Sequence, residues 1–144
     1  MRATHLLADM AVRPRESARA LAGRLTPESL NRRPGGHDNS VAWLLWHVAR
    51  QMDGQASRLS GKEPVWTAQG FRDRFDLGPV ADEAGMGWQH TAEQARSIIV
   101  TDPALLLERL EAATDALLDY IGTLQDDDLD ELVDEIADGP VMLP

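Results

Sequence analysis

A chain of 144 residues is the size of one ordinary domain, and 43% hydrophobic with 26% charged residues is the balance of a globular protein, not a disordered one. It contains no cysteine, which excludes a disulfide framework, a thiolate zinc site and a cysteine nucleophile together. The net charge of −10 is unevenly placed: residues 110–144 carry 11 acids and no Lys or Arg, whereas residues 1–109 carry 13 acids and all 14 basic residues. An acidic C-terminal quarter repels phosphate backbones, and no basic stripe with interleaved aromatics lies upstream, so nucleic acid is not an expected partner. No apolar run reaches the roughly 18–20 residues that cross a bilayer, and Met-Arg-Ala-Thr-His lacks the apolar core of a signal peptide. The expectation is a soluble, cytoplasmic, single domain over residues 1–144.

In chain order, Leu7, Met10, Ala18, Leu21 and Leu25 recur at helical steps and predict an amphipathic helix over about residues 4–24. Pro14 falls inside it, where the loss of a backbone donor is expected to kink or interrupt the helix. Thr26-Pro27-Glu28 reads as a cap followed by one short turn, and Arg33-Pro34-Gly35-Gly36-His37-Asp38 as a loop. A second helix starts at Asn39 or Ser40 and ends before Gly61. Its apolar stripe is Val41, Leu44, Leu45, Val48, Met52 and Leu59, and its first turns are apolar nearly all round.

Residues 61–90 differ in kind, with five glycines, two prolines and two tryptophans. Trp66, Phe71 and Phe75 predict a short helix near 67–75, and Thr91 with Gln94 a capping box for another near 92–99. A third long helix follows, capped by Asp102 with Pro103 at its first position, and carrying Leu106, Leu110, Ala113, Leu117, Ile121 and Leu124. No β-alternation and no internal repeat is present. The fold class is all-α.

His47 is the leading candidate for chemistry. At about 100° per residue it shares a flank with Trp43, Gln51 and Gly54, from which an imidazole can reach a bundle interior to bind a metal or move a proton. The competing reading is a core histidine bonded to a carbonyl. His90 precedes a helix start and is placed to fold toward His47; His5 and His37 belong to neither an HxxxH nor an HExxH pair. The run Asp126-Asp127-Asp128-Leu129-Asp130-Glu131 matches the first positions of a calcium loop. It then fails, with Glu131 where Gly is needed and Ala137 where Glu is needed, so residues 126–144 read as a solvated acidic tail.

Leu25-Thr26-Pro27-Glu28-Ser29-Leu30-Asn31-Arg32-Arg33-Pro34 followed by Asn39-Ser40-Val41-Ala42-Trp43-Leu44-Leu45-Trp46-His47-Val48 resembles the DinB-like superfamily of bacterial four-helix bundles. That superfamily includes YfiT-like and mycothiol-dependent maleylpyruvate isomerase-like proteins. Val65-Trp66-Thr67, Gly87-Trp88-Gln89-His90-Thr91-Ala92-Glu93-Gln94 and Asp102-Pro103-Ala104-Leu105-Leu106 resemble one actinobacterial branch of it. The resemblance implies an up-down bundle holding a divalent ion of the zinc or nickel type on three side chains. His47 carries over as one ligand, and Trp43, Trp46, Trp88 and His90 line the access. It also implies a fourth long helix after a Pro-Val-x-Leu stretch, supplying the other ligands. Here Gly139-Pro140-Val141-Met142-Leu143-Pro144 reaches that stretch, and Gln55 stands where related sequences often place a second histidine. The expected chain therefore has three long helices, lacks the last one and carries an incomplete metal site.

Two functions follow as expectations. One is a metal-dependent thiol transferase, isomerase or hydrolase using a low-molecular-weight thiol; the other is a non-catalytic helical module. Because the apolar residues after Leu124 are few and interrupted, the groove between the long helices is expected to be filled by a second copy. The homodimer interface would involve Val41–Val48 or Leu106–Leu124.

Overall fold

The computed structural model describes residues 2–82 and 87–130. In chain order the α-helices are α1 (Ala3–Leu21), α2 (Pro27–Leu30), α3 (Val41–Ser60), α4 (Val65–Ala68), α5 (Phe71–Phe75), α6 (Ala92–Ser97) and α7 (Pro103–Thr123). A further helical turn opens at 128–130, and no strand occurs among the described residues. The fold is all-α. Among the described residues three helices are long, as expected; the acidic stretch from residue 131 onward, and any fourth helix there, lie outside them.

The ends of the elements follow local chemistry. Thr26 and Ser29 form a reciprocal capping box at α2, and Thr91 and Gln94 form another at α6. Ser40 accepts from the Trp43 amide to start α3, and Gly61, at φ 71°, closes it in the left-handed conformation that favours glycine. Asp102 accepts from the amides of Ala104 and Leu105 to start α7. The segment expected to hold one short helix near 67–75 holds two, α4 and α5, because Gly70 turns left-handed between them. Of the kink or interruption expected at Pro14, the interruption does not occur: α1 continues through it. Pro14 is only half-buried, and Met10, whose carbonyl it leaves without a helical donor, is 55% exposed.

α7 is the spine. Arg15 pairs with Asp115 at 2.8 Å and Arg19 with Glu111 at 2.7 Å, which fixes α1 antiparallel to α7. Ala49 and Met52 of α3 cluster with Leu110 and Ala113, and Trp46 with Leu105 and Leu106, which fixes α3 parallel to α7. Two parallel helices of about 30 Å cannot be joined by a tight turn. Residues 61–102 therefore carry the chain back along the bundle, and their tryptophan, phenylalanines and short helices are packed there as a layer, not hung out as slack. Trp66, Phe71, Phe75 and Ile98 are all buried against the upper halves of α3 and α7.

α1 packs differently. The side chains it buries are small, Thr4, Ala11 and Ala18, while Leu6, Leu7, Met10 and Leu21 remain 37–55% exposed. The apolar periodicity read from α1 is real, but the described residues cover only part of it.

Candidate functional site

Two polar centres sit on α3, on opposite flanks. The first was anticipated from His47. Its ring stacks on Trp43, with centroids 4.4 Å apart, and its Nε2 lies 3.3 Å from the Gln51 side-chain nitrogen one turn on. With the amide nitrogen donating, Nε2 is an acceptor. Trp43 and Trp46 are buried, whereas His47 and His90 are half-buried. His90 does fold onto this end: it stacks on Trp46 at 5.6 Å and meets Trp43 edge-on at 6.3 Å.

The hydrogen bonds of His90 fix its tautomer. The indole Nε1–H of Trp43 can only donate, and it donates to His90 Nδ1 at 3.2 Å. The ring proton is then on Nε2, which donates to the Val80 carbonyl at 3.2 Å. Both nitrogens of His90 are thus spent on the fold. Gly87 explains how the rings come so close to backbone. At φ 89° it lies over them, and a Cβ there would stand 2.8 Å from Trp46 Cζ3 and 3.2 Å from His47 Nδ1. Trp46 Nε1 is buried in the same place without an acceptor. Trp88, expected to line the access, is 57% exposed. His5 and His37 are exposed.

The implied divalent ion can be tested against these donors. Among the described residues no three His, Cys, Asp or Glu side chains converge. His90 has no lone pair to give, and the neighbour of His47 on its helix is an amide, a poor ligand. The described residues do not fit a three-ligand site. In the described part of the acidic run, Asp126 accepts from the Thr4 amide at 3.4 Å and Asp128 from the Gln125 amide at 2.7 Å, and residues 131–138 lie outside the described residues.

The second centre was not anticipated. Asp53 of α3 is 1% exposed and takes three donors: Val65 N at 2.8 Å, Trp66 N at 3.0 Å and Arg109 Nη2 at 2.6 Å. One carboxylate thereby starts α4, anchors the returning connection and ties α3 to α7. Arg109 is fully buried beside the rings of Trp66 and Phe71, and Arg50 also stands over the Trp66 ring, 5.2 Å from its centroid. Burial pulls the Arg109 guanidinium down to about 10, still far enough above neutrality to keep it charged beside Asp53. Its Nε and Nη1 are buried without a hydrogen-bond acceptor, and its charge lies over the two flanking rings. Next to it, Asp82 accepts from Trp66 Nε1 at 2.9 Å and Arg72 Nε at 2.8 Å. Burial opposes its ionisation, but these two bonds outweigh that and hold its pKa below the ordinary 3.8. At its heart, Asp53 and Arg109 are buried and spend their bonds within the chain, which gives the centre a structural role. Its sequence signal, Arg50 and Asp53 on one face of a helix with Arg109 beside Leu110, is too weak to separate from solvated charges.

Comparisons agree with this architecture. No curated protein matches the chain. A solved structure described as a conserved protein of locus from Enterococcus faecalis is 29% identical, with a TM-score of 0.77 over 88% of this chain and 74% of that one. No described helix is long and apolar enough to cross a membrane. A family profile matches residues 11–143, nearly the whole chain, and by that match the chain belongs to the DinB superfamily.

Proposed function

We propose that this chain acts by association, as a non-catalytic helical module of the DinB type, with a second copy as its partner. One observation carries the reading: large aliphatic side chains on α1 and α3 stay outside, with Leu21 at 44% and Leu44 at 50% exposed at the same end of the bundle. Scattered single leucines are ordinary, but large aliphatic side chains left exposed on two helices at one end of a bundle offer a contact surface. A two-fold axis over Leu44 sets the same patch against itself, the arrangement two-fold dimers use, and Val48 extends the patch along α3. The test is sedimentation at tens of micromolar. The wild-type chain is expected to run as a dimer and Leu44→Asp as a monomer with unchanged helix content. A wild-type monomer of 15.8 kDa at that concentration would refute the reading.

A second reading is the metal-dependent, thiol-linked transferase, isomerase or hydrolase. It is favoured by the half-buried position of His47, whose Nε2 is met by the Gln51 amide, a neighbour that a small side-chain rotation removes. It predicts one zinc- or nickel-type ion per chain after dialysis, in the presence of a low-molecular-weight thiol, lost in His47→Ala. The association reading predicts the same low metal content for both proteins.

A further inference from the structure

At the edge of the centre built on Asp53 stands a charge that the described chain does not answer. Arg50 is 8% exposed and lies over the Trp66 ring, yet among the described residues no carboxylate or carbonyl accepts from its guanidinium. Its Nε is wholly buried without an acceptor, so the contact that the guanidinium nitrogens keep with solvent is at the Nη pair. The two acids near enough to act on its charge are already committed. Asp53 takes the Val65 amide on one oxygen and the Trp66 amide with Arg109 on the other; Asp82 takes Trp66 Nε1 on one and Arg72 on the other. Burial outweighs the pull of both and lowers the Arg50 pKa from its ordinary value.

The charges around Trp66 do not balance either. Arg50, Arg72 and Arg109 face Asp53 and Asp82, which leaves one positive charge over. A cation held away from water without a partner is costly, and a counter-ion from outside removes that cost. A second unmet donor stands one turn earlier: Trp46, fully buried, has no acceptor for its indole Nε1. Positions 46 and 50 lie about 40° apart around α3, so both donors sit on one face. Unmet donors beside a surplus positive charge suit an anion and repel a metal ion.

We propose that Arg50 is the receptor for a small monoanion, a carboxylate, taken on its two Nη groups. The planar fork matches the two oxygens of a carboxylate. The single surplus charge sets the valence: beside Asp53 and Asp82, a doubly charged phosphate would leave one negative charge in excess. Leu44 lies about 120° around α3 from Arg50, so the site does not depend on a second copy.

Sodium acetate is the probe, and thermal melts of the full chain are the assay, with sodium chloride at matched ionic strength as reference. Acetate should raise the wild-type melting temperature along a saturating-ligand curve, with a dissociation constant on the order of 1 mM. Arg50→Lys keeps the charge without the fork and should weaken the response about tenfold; Arg50→Met should abolish it. No shift beyond that of chloride in the wild type overturns the proposal. So does an undiminished shift in either variant with circular dichroism matching the wild type. Inorganic phosphate should stabilise less than acetate, and the reverse order overturns the choice of a monoanion. In acetate-free buffer Arg50→Met should lose far less melting temperature than Arg109→Met, which strands Asp53. Equal losses would show that the chain itself already pairs Arg50, and would overturn the proposal. Leu44→Asp should keep the full acetate response; its loss there would move the site to the contact surface and away from Arg50.

Discussion

The two flanks of α3 are built on opposite principles. Toward α7 and the returning connection, a carboxylate that is 1% exposed holds two backbone amides and a buried guanidinium, and every part of that flank has one possible place. Toward α1, Met52 and Leu59 border a groove whose described lining is aliphatic apart from Pro14 and Tyr120. The first flank specifies position through directional bonds that are costly to leave unmade. The second offers only apolar area, which is indifferent to direction and accepts any helix of the right width. A single helix can thus be locked on one side and adaptable on the other.

The largest expected effect tests the locked side. Asp53→Ala strands the Arg109 charge and two α4 amides, and should lower unfolding free energy by about 3–5 kcal/mol in urea titration. Asp53→Leu combined with Arg109→Met removes both charges and should recover much of that loss; if the double variant is as unstable as Asp53→Ala, the stranded charge is not the cause. Next is Gly87→Ala, which forces a Cβ to 2.8 Å from Trp46 at a positive φ and should cost about 1–3 kcal/mol. Its near-ultraviolet circular dichroism, reporting Trp43 and Trp46, should change while the far-ultraviolet signal holds.

The adaptable side should respond far less. Leu44→Asp is expected to change chain stability, measured below the association range, by no more than about 0.5 kcal/mol. A loss comparable with that of Asp53→Ala would mean the two flanks are not built differently. The smallest effect concerns pH. The folded pKa of Asp82 is depressed, so its contribution is present above the ordinary value of 3.8 and is lost as pH falls through the lower folded value. The melting temperature should therefore drop less steeply below pH of about 4 in Asp82→Asn than in the wild type. Identical slopes would show that the bonds from Trp66 and Arg72 do not favour the ionised form.

Much of the fold was legible because its elements are announced locally. Asp102-Pro103, Ser40, Gly61, the Thr26 cap before Pro27 and the Thr91–Gln94 box each act within a turn, so the helix limits could be read within a few residues. What periodicity could not disclose was the partner of each face. The stripe Leu7, Met10, Leu21 looked like a buried face, yet the residues α1 buries are the small Thr4, Ala11 and Ala18, while Leu7 and Met10 border the groove and Leu21 stays exposed. At the candidate site, the neighbours of His47 on its own helix, Trp43 and Gln51, followed from spacing alone. The engagement of both His90 nitrogens did not, because Trp43 and Val80 are brought to it by tertiary packing. Asp53 and Arg109 were invisible for the same reason: they are 56 residues apart and define each other only once α3 and α7 lie parallel.

That parallel arrangement has a kinetic consequence. In an up-and-down bundle, neighbouring helices meet across short turns and contacts are nearly all local. Here α3 can reach α7 only after residues 61–102 have been traversed, and α1 meets α7 through pairs such as Arg15–Asp115, 100 positions apart. High contact order of this kind slows folding, since loop-closure entropy is spent before any distant contact repays it. The individual helices should form in about a microsecond or less, and the rate-limiting event should be docking of α7. Lengthening the chain between α3 and α4 should barely alter that rate, because doubling a loop adds only about 0.6 kcal/mol to its closure.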